Sequence, residues 1–305
     1  MDFGKVPFAS LARIDFSLPE DAPIGFLSQG QPRAVLPNIY TGCPVWANKT
    51  WVGTYYPSRA KEKNFLEYYA RQFNTIELNT THYRIPEIST VRKWREQVSA
   101  CPHFKFAPKL PQEISHHLLP LGKGQEQADR FYDHIRELGP HLGSCFLQLP
   151  PDFAPDKIDK LEQFLRQKPQ DFALAIEVRH PAWFKAPAKQ EWINLLSRYD
   201  CATVLTDVAG RRDVLHMALS NSRAMIRFVG NDPHPSDELR IEEWSLRLEQ
   251  WLEKGLREVY FFMHQPENNA SPDVLGDFIQ RLNKKTGLFC FPPRRLPQVQ
   301  QASLF

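Results

Sequence analysis

Glu77, Lys109, Glu177, Arg179, Asp207 and Arg227 each interrupt or close a short apolar run. A charge in such a place is costly unless it is paired or hydrogen-bonded. One such residue would suggest a structural ion pair. Six spread over 150 positions suggest a shared, charge-compensated cavity. Neutral polar groups stand at comparable places: Trp46 after Thr41-Gly42-Cys43-Pro44, Asn79 and Tyr83 after Glu77, Gln148 before Pro150-Pro151, and His264 before Gln265. Carboxylates mixed with lysine and arginine suit an anionic or polyhydroxylated ligand. The cations would hold phosphate or carboxylate, and a carboxylate would act as general base. Glu77, Glu177 and His180 form the candidate catalytic set. Trp46, Asn79, Tyr83, Lys109, Gln148, Arg179, Asp207, Arg227 and His264 form the candidate ligand-binding set.

Competing readings weigh on each. Glu177 and Arg179, two positions apart on one strand face, could bridge one another. Arg227 could neutralise Asp207. His180 precedes a proline and could cap a loop, while His116-His117 falls in a loop where solvation is the simpler expectation. A divalent ion on Glu77, Glu177, Asp207 and His264 is disfavoured by the interspersed cations, so no metal is assigned and the cofactor is left unknown. A glycosidase using Glu77 and Glu177 as its carboxylate pair is a third option that spacing alone does not decide.

Residues so far apart in sequence need a scaffold that gathers them. Apolar, β-rich runs occur at 39–41, 75–78, 104–107, 145–149, 172–178, 202–206, 224–229 and 259–263. Most are continuous rather than alternating, as expected of parallel strands covered on both faces. Between them Phe65, Leu66, Tyr69 and Phe73 recur at helical spacing. So do Ile158, Leu161 and Leu165, then Trp244, Leu248, Trp251 and Leu252. Ser271-Pro272 reads as an N-cap followed by proline in the first turn. Eight strands with intervening helices predict a single-domain (β/α)8 TIM barrel of the α/β class, whose chemistry collects at the strand C-termini. No G-x-G-x-x-G or P-loop pattern supports an open nucleotide-binding sheet instead. The stretch 207–222 is only weakly helical.

The barrel is expected over 39–290. The first 38 residues hold five prolines and the last 15 hold three, so 1–38 and 291–305 read as extended arms. The composition is globular, with 42% hydrophobic and 24% charged residues. A net charge of +3 is too small to argue for nucleic acid by itself. No apolar run reaches the roughly 18 residues of a membrane span. The amino terminus lacks the layout of a secretory signal, and five scattered cysteines without a C-x-x-C suit a reducing compartment. A cytoplasmic location is expected, with no membrane partner.

The combination of several stretches resembles the YecE-like family, known as domain of unknown function 72. These stretches are Trp51-Val52-Gly53 with Tyr55-Tyr56-Pro57, then Phe73 to Asn79 with Tyr83-Arg84, then Phe104-Lys105-Phe106 up to Lys109. Leu147-Gln148-Leu149-Pro150-Pro151 and Glu177 through Phe184 complete them. The resemblance implies a TIM barrel with a polar cleft at the strand C-termini and no assigned reaction. Three strand exits depart from the family pattern: Tyr40 to Trp46, Val229-Gly230 and His264-Gln265.

The last five residues, Gln301-Ala302-Ser303-Leu304-Phe305, resemble the pentapeptide by which bacterial replication and repair proteins bind the DNA sliding clamp. Leu304 and Phe305 would enter an apolar pocket while Gln301 bonds at its edge. Packing of Leu304 and Phe305 onto the barrel is the alternative. Two function classes follow. One is a hydrolase or phosphoester-handling enzyme linked to DNA repair or replication, its ligand an anionic or polyhydroxylated small molecule or nucleic acid. The other is a non-catalytic ligand-binding or adaptor protein recruited to the clamp by its tail.

Overall fold

Eight strands form one parallel sheet in the order β3-β2-β1-β8-β7-β6-β5-β4. They are β1 Asn38–Cys43, β2 Thr75–Leu78, β3 Lys105–Pro108, β4 Cys145–Gln148, β5 Leu174–Glu177, β6 Cys201–Asp207, β7 Arg223–Val229 and β8 Glu258–His264. The computed structural model describes residues 4–22, 36–232 and 234–297. The two ends of the sheet meet through isolated bridges, Phe106 to Leu142 and Lys109 to Phe146. Leu110 N donates to Phe146 O at 2.9 Å there. The sheet is thus closed almost completely into the expected TIM barrel.

Among the described residues seven α-helices surround it: α1 Phe65–Gln72, α2 Ile88–Gln97, α3 Gln125–Ile135, α4 Ile158–Arg166, α5 Ala188–Arg198, α6 Pro235–Glu253 and α7 Ser271–Thr286. Helix α7 starts one residue earlier than its sequence signal, at Ser271, with Ala270 at the N-cap and Pro272 in the first turn. Among the described residues no α-helix follows β6. A 3-10 turn over Ala209–Val214 takes its place. The return segment is stitched to β6 by Thr203 Oγ1 donating to Ala218 O at 2.8 Å and Ser220 Oγ to Cys201 O at 2.6 Å.

Strand parity divides the side chains. Tyr40, Ala107, Phe146, Ala175, Ala202, Val204, Met225, Tyr260 and Phe262 fill the lumen as a cluster of their own. Alanines opposite aromatics let the layers interdigitate, and each large side chain buried there contributes about 1.5–3 kcal/mol. Residues of the other parity join the core between barrel and helices. At Gly42 the contact between β1 and β2 is too close for a side chain, since a Cβ would stand 2.0 Å from Thr75 O.

Both arms, expected to be extended, are docked on the barrel where they are described. Leu11 is buried within a 3-10 turn over Phe8–Arg13. Gly210 N donates to Gly4 O at 2.9 Å, and Leu18 N to Glu243 on α6 at 2.8 Å. Asp21 pairs with Arg247 at 2.6 Å. Proline keeps this arm extended, and extension is what lets it run along α6 as a strap. At the other end Arg295 pairs with Asp273 at 2.7 Å, and Leu296 N donates to Thr54 O at 2.6 Å.

Candidate functional site

Above the apolar lumen layers, the inward-facing positions turn polar. Glu77 stands opposite Ala107 in the β2–β3 register, Gln148 opposite Glu177, and Arg227 opposite Phe262. All four polar residues therefore share the parity of lumen residues and face the same mouth. Arg227 is fully buried at its centre. Its Nε and Nη2 donate to Glu77 at 3.1 and 2.9 Å, and its Nη1 donates to Glu177 Oε2 at 3.0 Å.

The ring continues on both sides. Arg179 Nε donates to Glu177 Oε1 at 2.8 Å. Gln148 Nε2 donates to Glu177 Oε2 at 2.7 Å, and its Oε1 accepts from Lys109 Nζ at 2.8 Å. An ammonium can only donate and a carboxylate only accept, which fixes the orientation of this amide. Asn79 Nδ2 donates to Glu77 Oε1 at 2.8 Å, and His264 Nε2 lies 2.7 Å from Glu77 Oε2. Asn79 Oδ1 is buried with no hydrogen-bond partner among the described residues.

This wiring sets the protonation states. Burial alone would raise the Glu77 carboxyl. Arg227 and His264 outweigh it and hold the group well below the usual range. Burial acts the same way on Glu177, and Arg179 with Arg227 brings it down to about 2. Both stay ionised at neutral pH. Lys109 differs. Burial and the nearby Arg227 lower its ammonium to about 7, against the pull of Glu177 and Glu77. It is 3% exposed, and a neutral amide is its hydrogen-bond partner. It is therefore a group that gains and loses a proton near neutrality.

Several expected site residues lie elsewhere. Asp207 stands opposite Phe228, not Arg227, and so points out of the barrel. It is fully buried between Arg240 at 2.8 Å, Arg212 and Trp244 Nε1 at 2.8 Å. The Phe16 ring of the strap faces Arg240 at 5.3 Å and Arg212 at 5.6 Å. The expected pairing of Arg227 with Asp207 is replaced by these contacts, and a metal set that includes Asp207 is geometrically split. Among the described residues no group of three His, Cys, Asp or Glu side chains could hold a metal ion. His180 Nδ1 accepts from Ala182 N at 3.2 Å and caps the turn Pro181–Phe184. Trp46 packs edge-on against Trp94 of α2 at 6.1 Å, and its carbonyl accepts from Tyr56. Tyr83 is 80% exposed. Gln301, Leu304 and Phe305 lie outside the described residues.

Residues 40–301 match the family model described as "Protein of unknown function DUF72". The chain belongs to the DUF72 family. It is 31% identical to the UPF0759 protein YecE of Escherichia coli K12 over 286 residues, spanning 88% of this chain and 100% of that one. It is 22% identical to the UPF0759 protein YunF of Bacillus subtilis, over 80% of this chain and 93% of that one. A DUF72 crystal structure from Thermotoga maritima superposes with a TM-score of 0.62 at 23% identity, covering 81% of this chain and 99% of that one. One from Enterococcus faecalis gives 0.62 at 16% identity, covering 85% and 100%.

Two further residues of this DUF72 barrel lie beside the mouth, His82, which the sequence did not single out, and His116, which was expected to be solvated. His82 ends the turn Asn79–His82, and His116 lies in a π-helical turn over Glu113–Leu118. Their rings meet at 5.5 Å. Thr81 Oγ1 donates to Lys109 O at 2.7 Å, and His82 Nδ1 lies 3.0 Å from Leu110 O. The turn after β2 is thereby fastened to the exit of β3, beside Lys109. Burial and the Lys109 charge hold both imidazoles at about 4. Histidines in loops carry no periodicity, so the sequence offered no sign of this pairing.

Proposed function

We propose that the barrel mouth binds an anionic, hydroxyl-bearing ligand and hydrolyses a phosphoester bond in it, with Lys109 moving the proton. One observation carries this reading: Lys109 is buried in the ring with a neutral amide, not a carboxylate, as its hydrogen-bond partner, so that burial and Arg227 lower its ammonium to about 7. General acid–base catalysis is most effective when the pKa lies near the working pH. Glu77 and Glu177, proposed from sequence as bases, are instead the counter-ions that hold Arg227 and Arg179 in place. A glycosidase pair needs one protonated carboxyl, and neither glutamate provides it at neutral pH. Arg179 and Lys109 supply positive charge, and Asn79 Oδ1 supplies an acceptor for a ligand hydroxyl. The five cysteines are all free, which favours action in the reducing cytoplasm. No helix among the described residues is long and apolar enough to cross a membrane.

Lys109→Met keeps the apolar stem and removes the titrating amine. In a turnover screen over aryl phosphoesters and glycosides, the intact chain is expected to act on a phosphoester. Lys109→Met should lower that rate by a factor of about 100 or more. A folded Lys109→Met protein with the parent rate would refute the assignment.

A further inference from the structure

We infer that His82 and His116 form a receiving pair for a doubly charged tetrahedral oxyanion, a phosphoryl group, beside Lys109 and Arg179, and that the pair takes up protons as the anion binds. This rests on the reading of the mouth as an anion site and names the part of the ligand that occupies its rim.

The two rings come from different strand exits and are fixed in the same way. His82 Nδ1 is held at Leu110 O, 3.0 Å away, and His116 Nδ1 at Ser115 Oγ, 2.7 Å away. Among the described residues neither Nε2 has a hydrogen-bond partner. Each ring thus keeps one nitrogen for a ligand, with its orientation set by the other. Both rings are half-buried, and their edge-to-face contact at 5.5 Å keeps them adjacent. The π-helical turn that presents His116 is a geometry found often at functional sites.

The surrounding charges explain the coupling. The charges of Lys109 and Arg179 disfavour protonation of both rings, the rings lie against each other, His117 adds to this at His116, and Asp152 acts on His116 in the opposite sense. Without an anion, protonating either ring adds a cation beside two others. A bound dianion reverses that balance, so the rings protonate and donate two charge-assisted hydrogen bonds. A chloride-sized monoanion would reverse it less, which is why the pair suits a phosphoryl dianion.

The test is calorimetric titration with inorganic sulfate, a tetrahedral dianion whose charge is constant over the pH range used. Heats are compared in two buffers of different ionisation enthalpy at about pH 5.5, where Lys109 is already charged, and at about pH 8. The intact chain is expected to bind sulfate with proton uptake at the lower pH. His82→Gln/His116→Gln should bind about tenfold more weakly there, without uptake, and like the parent at the higher pH. His116→Gln alone should lose part of the uptake and serves if the double variant folds poorly. His117→Gln, altered at an exposed neighbour, should behave as the parent. If the parent binds sulfate without uptake, or the double variant matches it, the pair is wrong while the anion-binding mouth stands. If the parent binds no sulfate at either pH, the reading of the mouth fails and the pair with it.

Discussion

Arg227→Met is expected to remove about 3–5 kcal/mol of stability at neutral pH, a large share of the roughly 5–15 kcal/mol of a typical domain. Arg227 is fully buried and makes three hydrogen bonds to Glu77 and Glu177, which are themselves 0% and 2% exposed. Methionine fills much of the volume, so the cost comes from two carboxylates left in a low-dielectric lumen without their shared cation. The pH dependence should change sign. In the parent, Glu177 is held at about 2, below its usual 4.5. Its contribution is present above the ordinary glutamate range and is lost as pH falls through that range toward about 2. In the variant, Glu177 keeps Arg179, while Glu77 keeps only His264 against its burial and should titrate above its unfolded value. Stability should then rise as pH falls toward about 5 and drop again as Glu77 ionises. Adding Glu77→Gln and Glu177→Gln to Arg227→Met should recover part of the loss at neutral pH. Urea melts at both pH values read this directly. A loss under about 1 kcal/mol would mean the ring is solvated and weakly coupled.

Asp207→Ala should cost a similar 3–5 kcal/mol, for a different reason and at a different place. Asp207 is the acceptor for Arg240, Arg212 and Trp244 Nε1, and the two arginines lie against Phe16 of the strap. Its removal leaves Arg240, which is 0% exposed, without that carboxylate and keeping Asp237 at 3.3 Å and the backbone carbonyls of Val229 at 3.0 Å and of residue 207 at 2.8 Å. Arg212 also bonds Phe16 O and Ser17 O, both at 2.9 Å. Loosening Arg212 should therefore free the amino-terminal strap and speed its proteolysis. Sulfate binding at the mouth should be unaffected in the folded variant, because Asp207 points out of the barrel. Lost sulfate binding with an intact fold would return Asp207 to the site.

The contrast between Arg227 and Asp207 marks where sequence reading stops. Both close apolar strands, and composition gives them equal standing. Only the β6–β7 register, Thr206 opposite Arg227 and Asp207 opposite Phe228, sends one inward and the other outward. The strands themselves were legible, since parallel strands covered on both faces read as continuous apolar runs. Helices α1, α4, α6 and α7 were legible from their apolar stripes. Helix α2 was not, because Val91 is its one buried residue. Helices α3 and α5 were not singled out either. Proline density marked the arms as extended but carried no information on docking, which depends on contacts such as the Phe16 ring meeting Arg240 of α6 and Arg212 of the turn after β6. Glu77, Lys109, Gln148, Glu177, Arg179 and Arg227 meet at one mouth, but residue type along the chain says nothing of how each is paired there. Ionisation depends on distances of about 3 Å across the mouth, and those are set by register rather than by spacing along the chain.

The most direct measurement is the titration of the Lys109 side chain by nuclear magnetic resonance, following its ε-carbon or amine nitrogen in selectively labelled chain. A midpoint near 7 is expected, moving upward when sulfate is bound. A midpoint close to the ordinary 10.5 would mean that Lys109 is solvated or fully paired, and the proton-transfer role of the mouth would be contradicted.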